Sequence, residues 1–182
     1  MSQAGQSRSE WSGETLDRAF GAPAEEYLFY LVLQANRRRE TALATALRQI
    51  GLTVAKWHAG AVIRRLGGCG MTEVSHLSAV DRTTLSRTIN QMVEEGLVLR
   101  ITSPNDRRRV HLSLSERGVA LIDQARVVSK TLNRRFLEGA ADEHRTGAVR
   151  LLQQAVAAMI EDDDVALGVL TYRPTTSQDA RA

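Results

Sequence analysis

Cysteine is almost absent from this chain: Cys69 is the single one among 182 residues. A lone cysteine excludes a framework of disulfide bonds within the chain and is typical of a reducing compartment. The sequence also lacks a charged start followed by an apolar segment, and no apolar run approaches the roughly 20 residues that span a bilayer. We therefore predict a cytoplasmic protein with no membrane partner.

Signatures of catalysis and of metal binding are missing as well. The sequence contains no P-loop, no GxSxG, no HExxH and no cysteine-nucleophile motif. The histidines show no pairing four residues apart; they are His58, His76, His111 and His144. The sequence therefore predicts no enzyme, no catalytic residues, no metal site and no cofactor.

Positive charge is concentrated in one part of the chain. The 24 basic residues exceed the 21 acidic ones by only three, an excess too small to indicate a polyanionic partner by itself. Residues 82–117 hold seven arginines and four acids, so their net charge of +3 equals that of the whole chain. Arginine makes up 22 of the basic residues. Its planar guanidinium suits phosphates and guanine edges, although a biased genome would favour arginine equally.

The spacing of apolar residues predicts a mainly α-helical fold with one small β-hairpin. Residues 1–22 lack sustained apolar periodicity and are predicted to form a flexible N-terminal arm. Pro23 suits a first helical turn, and a long helix is predicted from there to about residue 49, where Gly51 ends it. Thr53 is predicted to cap a second helix that runs to about residue 65.

The C-terminal part of the chain predicts two more helices and a tail. Ser115 can cap a helix that runs to about residue 136, although Gly118 weakens its first turn. A last helix is predicted from residue 142 to about residue 160. Residues 163–182 follow an acidic start and are predicted to be a disordered tail.

Residues 71–96 show the pattern of two short helices joined by a tight turn. The first is predicted to begin near Thr72 and to end near Leu77, and the Asp81 carboxylate can cap the second, which ends before Gly96. The second helix has one apolar stripe at helical spacing, formed by Leu85, Ile89, Met92 and Val93. Its opposite face carries only side chains that form hydrogen bonds: Arg82, Thr83, Thr84, Arg87, Asn90 and Gln91.

That polar face fits the chemistry of a DNA major groove. In a helix-turn-helix unit the second helix enters this groove. Arg82 or Arg87 can bind the O6 and N7 atoms of guanine, and Asn90 or Gln91 can pair with adenine. Threonine hydroxyls near the start of the helix can bind a phosphate. A polar helix face is more often simply solvated, so the adjoining turn and hairpin are needed to favour DNA.

Two segments of alternating character, 97–102 and 110–114, predict the β-hairpin. We place Asp106, Arg107, Arg108 and Arg109 at its tip. Three arginines beside one aspartate leave positive charge uncompensated, which indicates a polyanionic partner. One guanidinium can enter a minor groove while the others contact phosphates. Helix, turn, helix and basic hairpin together predict a winged helix-turn-helix.

In this order the motifs resemble the MarR family of bacterial transcriptional regulators. The resemblance rests on DRTTLSR at 81–87, EEGLVLR at 94–100, NDRRRV at 105–110 and LSLSERG at 112–118. It implies an obligate homodimer whose first and last helices interlock. Residues 23–52 would then be the N-terminal dimerisation helix, 53–115 the DNA-binding lobe and 116–162 the C-terminal dimerisation helices.

The resemblance also implies roles for single residues. Arg108 would be the minor-groove residue of the wing, with Asp106 orienting it. Thr84, Ser86 and Arg87 would lie on the DNA-facing helix. The implied function is a repressor that a small ligand, such as an aromatic or phenolic acid, releases from a pseudo-palindromic operator on double-stranded DNA.

An effector pocket is the least specific of these expectations. Aromatic walls and a cation for a carboxylate can come from Tyr30, Arg37, Arg38, Trp57 and His58. For each residue the alternative is ordinary packing or solvation. Two further alternatives stay open for the function: a redox-responsive regulator acting through Cys69, and a DNA-binding protein that responds to no ligand.

Overall fold

Seven α-helices and one two-stranded antiparallel sheet make up the described part of the chain. The computed structural model describes the backbone of residues 24–103 and 106–171 and the side chains of residues 27–101 and 110–171. The elements in chain order are α1 (Ala24–Arg48), α2 (Val54–Leu66), α3 (Met71–Leu77), α4 (Arg82–Glu94), β1 (Val98–Ser103), β2 (Asp106–Leu114), α5 (Glu116–Phe136), α6 (Asp142–Met159) and α7 (Asp163–Thr171). The predicted fold class, mainly helical with a hairpin, is confirmed.

The chain divides into two compact units, residues 1–41 and 42–182, with the boundary inside α1. In the first unit the rings of Tyr27 and Tyr30 stack with centroids 6.0 Å apart. Phe29, Leu31 and Leu33 are exposed on the same helix. The predicted arm, 1–22, and Pro23 lie outside the described residues.

The larger unit has two apolar clusters. The first lies among α2, α3, α4 and the hairpin, because each contributes one apolar face; its fully buried members include Ile63, Val74, Leu85, Ile89, Met92 and Leu112. The second joins the end of α1 to α2 and α5 through Leu43, Leu47, Leu52, Trp57, Ile122 and Ala125. The helix-turn-helix therefore rests on its own core, and α5 is anchored to the same α2 helix.

Helix ends follow the local signals in the sequence. The Thr53 side chain accepts a hydrogen bond from the Lys56 amide at 3.2 Å, and Ser115 Oγ accepts one from the Gly118 amide at 3.0 Å. Both satisfy a donor that a first turn leaves unpaired. Gly51 ends the preceding turn with a φ of +73°, a left-handed conformation that glycine adopts without strain. None of the described helices is long and apolar enough to cross a membrane.

The hairpin differs from its prediction in one respect. Its register runs from Val98 opposite Leu114 to Thr102 opposite Val110, and then jumps to Ser103 opposite Asp106. Asp106 and the residues 107–109 are thus part of strand β2, not of a loop tip. The three arginines lie in an irregular stretch of β2 that faces no β1 partner, a bulge that re-aims side chains and locally disrupts the pairing.

The prediction of a disordered tail from residue 163 is wrong as far as residue 171. The acidic start that suggested disorder instead begins helix α7, because Asp162 Oδ1 accepts a hydrogen bond from the Val165 amide at 3.0 Å. Asp163 and Asp164 then occupy the first turn, where negative charge is favourable. Ala166 is buried, and α7 packs against α3 and α6. Residues 172–182 lie outside the described residues.

Candidate nucleic-acid interface

A tight turn sets the angle between α3 and α4. Ser78 is buried, and its Oγ accepts a hydrogen bond from the Val80 amide at 3.4 Å. Ala79 has a φ of +52°, the only positive φ of a non-glycine residue among those described. That conformation costs an alanine roughly 1 kcal/mol, so the surrounding turn must stabilise it. The first helix begins at Met71, one residue before its predicted start.

Asp81 starts the second helix as predicted. Its Oδ1 accepts a hydrogen bond from the Thr84 amide at 2.9 Å. Hydrogen bonds from the Thr84 side chain and then from its backbone hold the pKa of the Asp81 carboxyl below its ordinary value. A phosphate contact of the Thr84 hydroxyl stays a prediction.

The two faces of α4 separate cleanly. Leu85, Ile89 and Met92 are completely buried, and Val93 is half-buried, so the predicted stripe faces the core. The residues predicted to contact DNA are all exposed: Arg82, Thr83, Thr84, Ser86, Arg87 and Asn90. Gln91 is half-buried. Because the stripe is buried, the opposite face is the one available to a groove; contact of each residue with DNA stays a prediction.

One residue of this surface escaped the sequence analysis. Arg100 lies on β1, and its Nη2 donates to Asn90 Oδ1 at a distance of 3.0 Å. Both side chains are exposed. Arg100 was counted in the charge balance but assigned no role, since ten residues separate it from Asn90 and no local pattern relates them.

The far end of α4 is held by side chains from α2 and α5. The Lys56 ammonium contacts Glu95 Oε1 at 2.5 Å, and the lysine is almost completely buried. Arg117 donates to the Glu95 carbonyl at 2.8 Å, and Ser115 Oγ donates to the Gly96 carbonyl at 2.7 Å. The bonds from Arg117 and Ser115 satisfy backbone carbonyls that a helix end leaves without partners. The orientation of α4 thus depends on the start of α5.

Gly118 completes this junction by allowing a close approach. A Cβ atom built on it would lie 2.0 Å from the Leu97 carbonyl oxygen, far inside van der Waals contact. The sequence suggested only that this glycine weakens α5. In the structure its missing side chain lets the first turn of α5 lie directly against the chain that leaves α4.

The wing carries the remaining predicted contacts. The side chains of Asp106, Arg107, Arg108 and Arg109 lie outside the described residues, and their contacts with DNA stay predictions. Their backbone lies in β2, beside β1, which in turn packs against α4. The basic stretch therefore belongs to the hairpin that adjoins the polar face of α4.

The residues predicted to line an effector pocket lie in different units. Tyr30, Arg37 and Arg38 are exposed residues of α1 within the first unit. Trp57 is a core residue of the second unit, where it packs in the second apolar cluster, and His58 beside it is half-buried. The packing alternative thus holds for Trp57. An effector site at these residues stays a prediction.

Cys69 is not placed for redox chemistry. It is buried, and its backbone forms a bridge with Leu112, with N–O distances of 3.0 and 2.8 Å. Burial, and to a lesser extent the charge of Glu73, raises the pKa of its thiol to about 11. A thiol with a raised pKa is rarely ionised, and the thiolate is the reactive form. This setting argues against the redox alternative.

Comparison with known proteins identifies the lobe just described. Residues 52–110 match the model of the MarR family. The chain carries a MarR-family domain. The matched segment begins just before α2 and ends within β2, so it contains α2, the helix-turn-helix and most of the hairpin. The family predicted from the sequence motifs is confirmed.

Similar proteins extend beyond that segment. The transcriptional repressor IacR of Pseudomonas putida is 24% identical over 129 residues, which cover 71% of this chain and 77% of the repressor. A mutant of Escherichia coli MarR, solved in complex with operator DNA, has 23% identity and a TM-score of 0.64, and the match covers 70% of this chain and 92% of that one.

A third similar protein is Bordetella bronchiseptica BpsR, in a structure concerned with the regulation of its DNA binding by 6-hydroxynicotinic acid. It is 22% identical with a TM-score of 0.66, and the match covers 71% of this chain and 98% of BpsR. Both structural matches show the shared winged-helix fold. The relatives are regulators of transcription, which agrees with the absence of catalytic motifs.

Proposed function

We propose that the protein is a sequence-specific DNA-binding transcriptional regulator that acts as a repressor at a pseudo-palindromic operator. The observation that carries this proposal is the exposed polar face of α4, opposite a fully buried stripe, in a MarR-family helix-turn-helix. A helix with this division fits a major groove and presents donors and acceptors to base edges. The repressor role is supported by the relative IacR.

Selection from a random duplex DNA library, followed by gel-shift titration, tests this proposal. A specific regulator enriches one sequence and binds it far more tightly than competitor DNA, with an affinity that falls as salt rises. An architectural DNA binder shows the salt dependence but enriches no sequence. Equal binding to selected and scrambled DNA would therefore refute the proposal.

The wing supplies the second contact surface of the proposed complex. The stretch of β2 that carries Arg107, Arg108 and Arg109 is irregular and adjoins α4 through β1. Arg108 enters the minor groove, and Asp106 orients it. Replacing Arg108 by alanine should weaken specific binding by roughly 1–3 kcal/mol, the value of one well-placed contact. Unchanged affinity of this variant in the same titration would show that the wing assignment is incorrect.

The regulator works as a homodimer. Helix α6 buries none of its residues within the described chain, although it has 18 of them. Most of the stability of a helix in a protein comes from packing of its apolar face, so α6 needs a partner surface. Apolar side chains are exposed along it, on the C-terminal half of α5 and just after that helix: Val127, Phe136, Leu137, Val149, Leu151, Leu152 and Met159. A second copy of the chain covers them and sets the spacing of the two α4 helices, which are the recognition helices of the dimer.

A small aromatic or carboxylate compound releases the repressor by binding better to a dimer whose recognition helices are wrongly spaced. The regulation of BpsR DNA binding by 6-hydroxynicotinic acid, itself an aromatic acid, supports this class of ligand. Titrating salicylate, 4-hydroxybenzoate and benzoate into the protein–operator complex tests it. We expect at least one of these acids to abolish operator binding. Chloride at the same ionic strength should leave operator binding unchanged. No response to any aromatic acid would favour the ligand-independent alternative.

A further inference from the structure

The hydrogen bond between the exposed side chains of Arg100 and Asn90 joins the wing to the recognition helix α4. Arg100 lies opposite Leu112 in the hairpin register, and Leu112 is completely buried. Directly opposite residues of an antiparallel pair share a face. Arg100 is therefore on the core-facing side of the hairpin. Its side chain is exposed and contacts α4 at the edge of the core.

Asn90 continues the polar face of α4. It follows Ser86 by four residues and Arg87 by three, the spacing of neighbours on one helix surface. All three side chains are exposed. A groove that accommodates Ser86 and Arg87 therefore also reaches Asn90.

The chemistry of arginine determines which way the Asn90 amide points. A guanidinium has donors and no acceptor, so it binds the carbonyl oxygen of an asparagine and never its NH₂ group. The 3.0 Å contact therefore holds Oδ1 against Arg100 and turns Nδ2, with its two hydrogens, to the other side. Without this contact the amide of an asparagine can rotate freely. It can then donate to N7 of adenine and accept from the N6 amino group.

We propose that Arg100 is a positioning residue that orients Asn90 as a hydrogen-bond donor, so that Asn90 recognises a base edge rich in acceptors. Guanine fits best, because its major-groove edge presents O6 and N7, both acceptors. This inference rests on the proposed function. It assigns a specificity role to a wing-strand residue and changes the base expected at Asn90 from adenine to guanine.

The test compares base preference, not affinity alone. The wild-type protein first selects its operator from random duplex DNA. Competition gel shifts with every single-base change in that operator then compare wild type, Asn90→Ala, Arg100→Ala and the double variant. Arg48→Ala is the control, since it removes another exposed arginine, at the end of α1. Thermal melts establish that each variant is folded.

If Arg100 orients Asn90, the wild-type protein should bind operators with guanine at one position per half-site on the order of tenfold more tightly than operators with another base there. Asn90→Ala and Arg100→Ala both abolish that preference, and the double variant loses no more than either single one, because the pair acts as a unit. Arg48→Ala keeps the preference.

Two results overturn the inference while leaving the proposed function intact. One is a uniform loss of affinity in Arg100→Ala across all operator variants, which makes Arg100 a phosphate contact only. The other is a preference for adenine that depends on Asn90 alone. If wild type selects no sequence at all, the proposed function fails, and the inference fails with it.

Discussion

At the scale of single residues, the junction at Gly118 shows how the role of a residue depends on its neighbours. Within a helix, glycine costs about 1 kcal/mol relative to alanine because its backbone is freer in the unfolded state. Two helical glycines of this chain have opposite surroundings. Gly118 lies against the Leu97 carbonyl, whereas a Cβ built on Gly147 of α6 would meet no atom within 4 Å.

The two glycines predict opposite effects of the same substitution. Gly118→Ala should lower the free energy of unfolding by about 1–3 kcal/mol, since its methyl group overlaps backbone that cannot move freely. Gly147→Ala should leave it unchanged or raise it by up to roughly 1 kcal/mol. Urea denaturation measures both. Equal stabilisation by the two substitutions would contradict the close packing of α5 on Leu97.

Cys69 predicts slow thiol chemistry in the folded protein. With a pKa of about 11, only about a thousandth of the thiol is ionised at pH 8. Alkylation by iodoacetamide at that pH should be on the order of a hundredfold slower than in denaturant, where the group is free of its burial. A Cys69→Ser variant gives the background rate. Equally fast labelling of folded and denatured protein would revive the redox alternative.

At the scale of elements, α4 is held at both ends, but by different means. Its start is capped locally by Asp81, whereas its end depends on α2 and α5 through Lys56, Ser115 and Arg117. The Lys56–Glu95 pair is unequal, because 10% of the lysine side chain is exposed against 45% of the glutamate side chain. Removing one partner or the other therefore leaves different groups without a counter-charge.

This inequality predicts an asymmetry between two variants. Glu95→Ala leaves a buried ammonium without its partner and should cost about 1–2 kcal/mol, less than a fully buried pair because Glu95 is partly screened by water. Lys56→Met keeps the buried stem and removes the charge, so it should change stability by less than about 0.5 kcal/mol. Denaturant titration of both variants measures the difference. A larger cost for Lys56→Met would contradict the asymmetry.

At the scale of the whole molecule, the exposed apolar residues of α6 predict that the chain associates. Val149 on α6 and Ile101 on β1 are matched in exposure, at 55% and 58%. Val149→Asp should shift the protein toward monomers, raising the dissociation constant at least roughly tenfold, because a carboxylate would be buried without a partner. Ile101→Asp on the wing should leave the oligomeric state unchanged. Sedimentation velocity over a range of concentrations distinguishes them, and a monomeric wild type would refute the dimer.

Much of the lobe was predictable because its signals are local. Thr53, Asp81 and Ser115 cap their helices through amides three residues away, and the stripe Leu85, Ile89 and Met92 follows from helical periodicity alone. Such patterns depend on neighbours within one or two turns. The charge concentrated in residues 82–117 was equally visible, because summing charges needs no structure.

What escaped prediction involved residues far apart in the chain. No local pattern shows that Arg100 holds Asn90, that the arginines of the wing lie within β2, or that Gly118 lies against Leu97. The same holds for α7. Its acidic start suggested disorder, and its packing against the distant helix α3 is not visible in the sequence. The sequence by itself determined where α4 begins, which of its faces is buried and that the region is basic. The tertiary structure decided which side chains share the exposed face, because register and close approach are set by packing between elements, not within them.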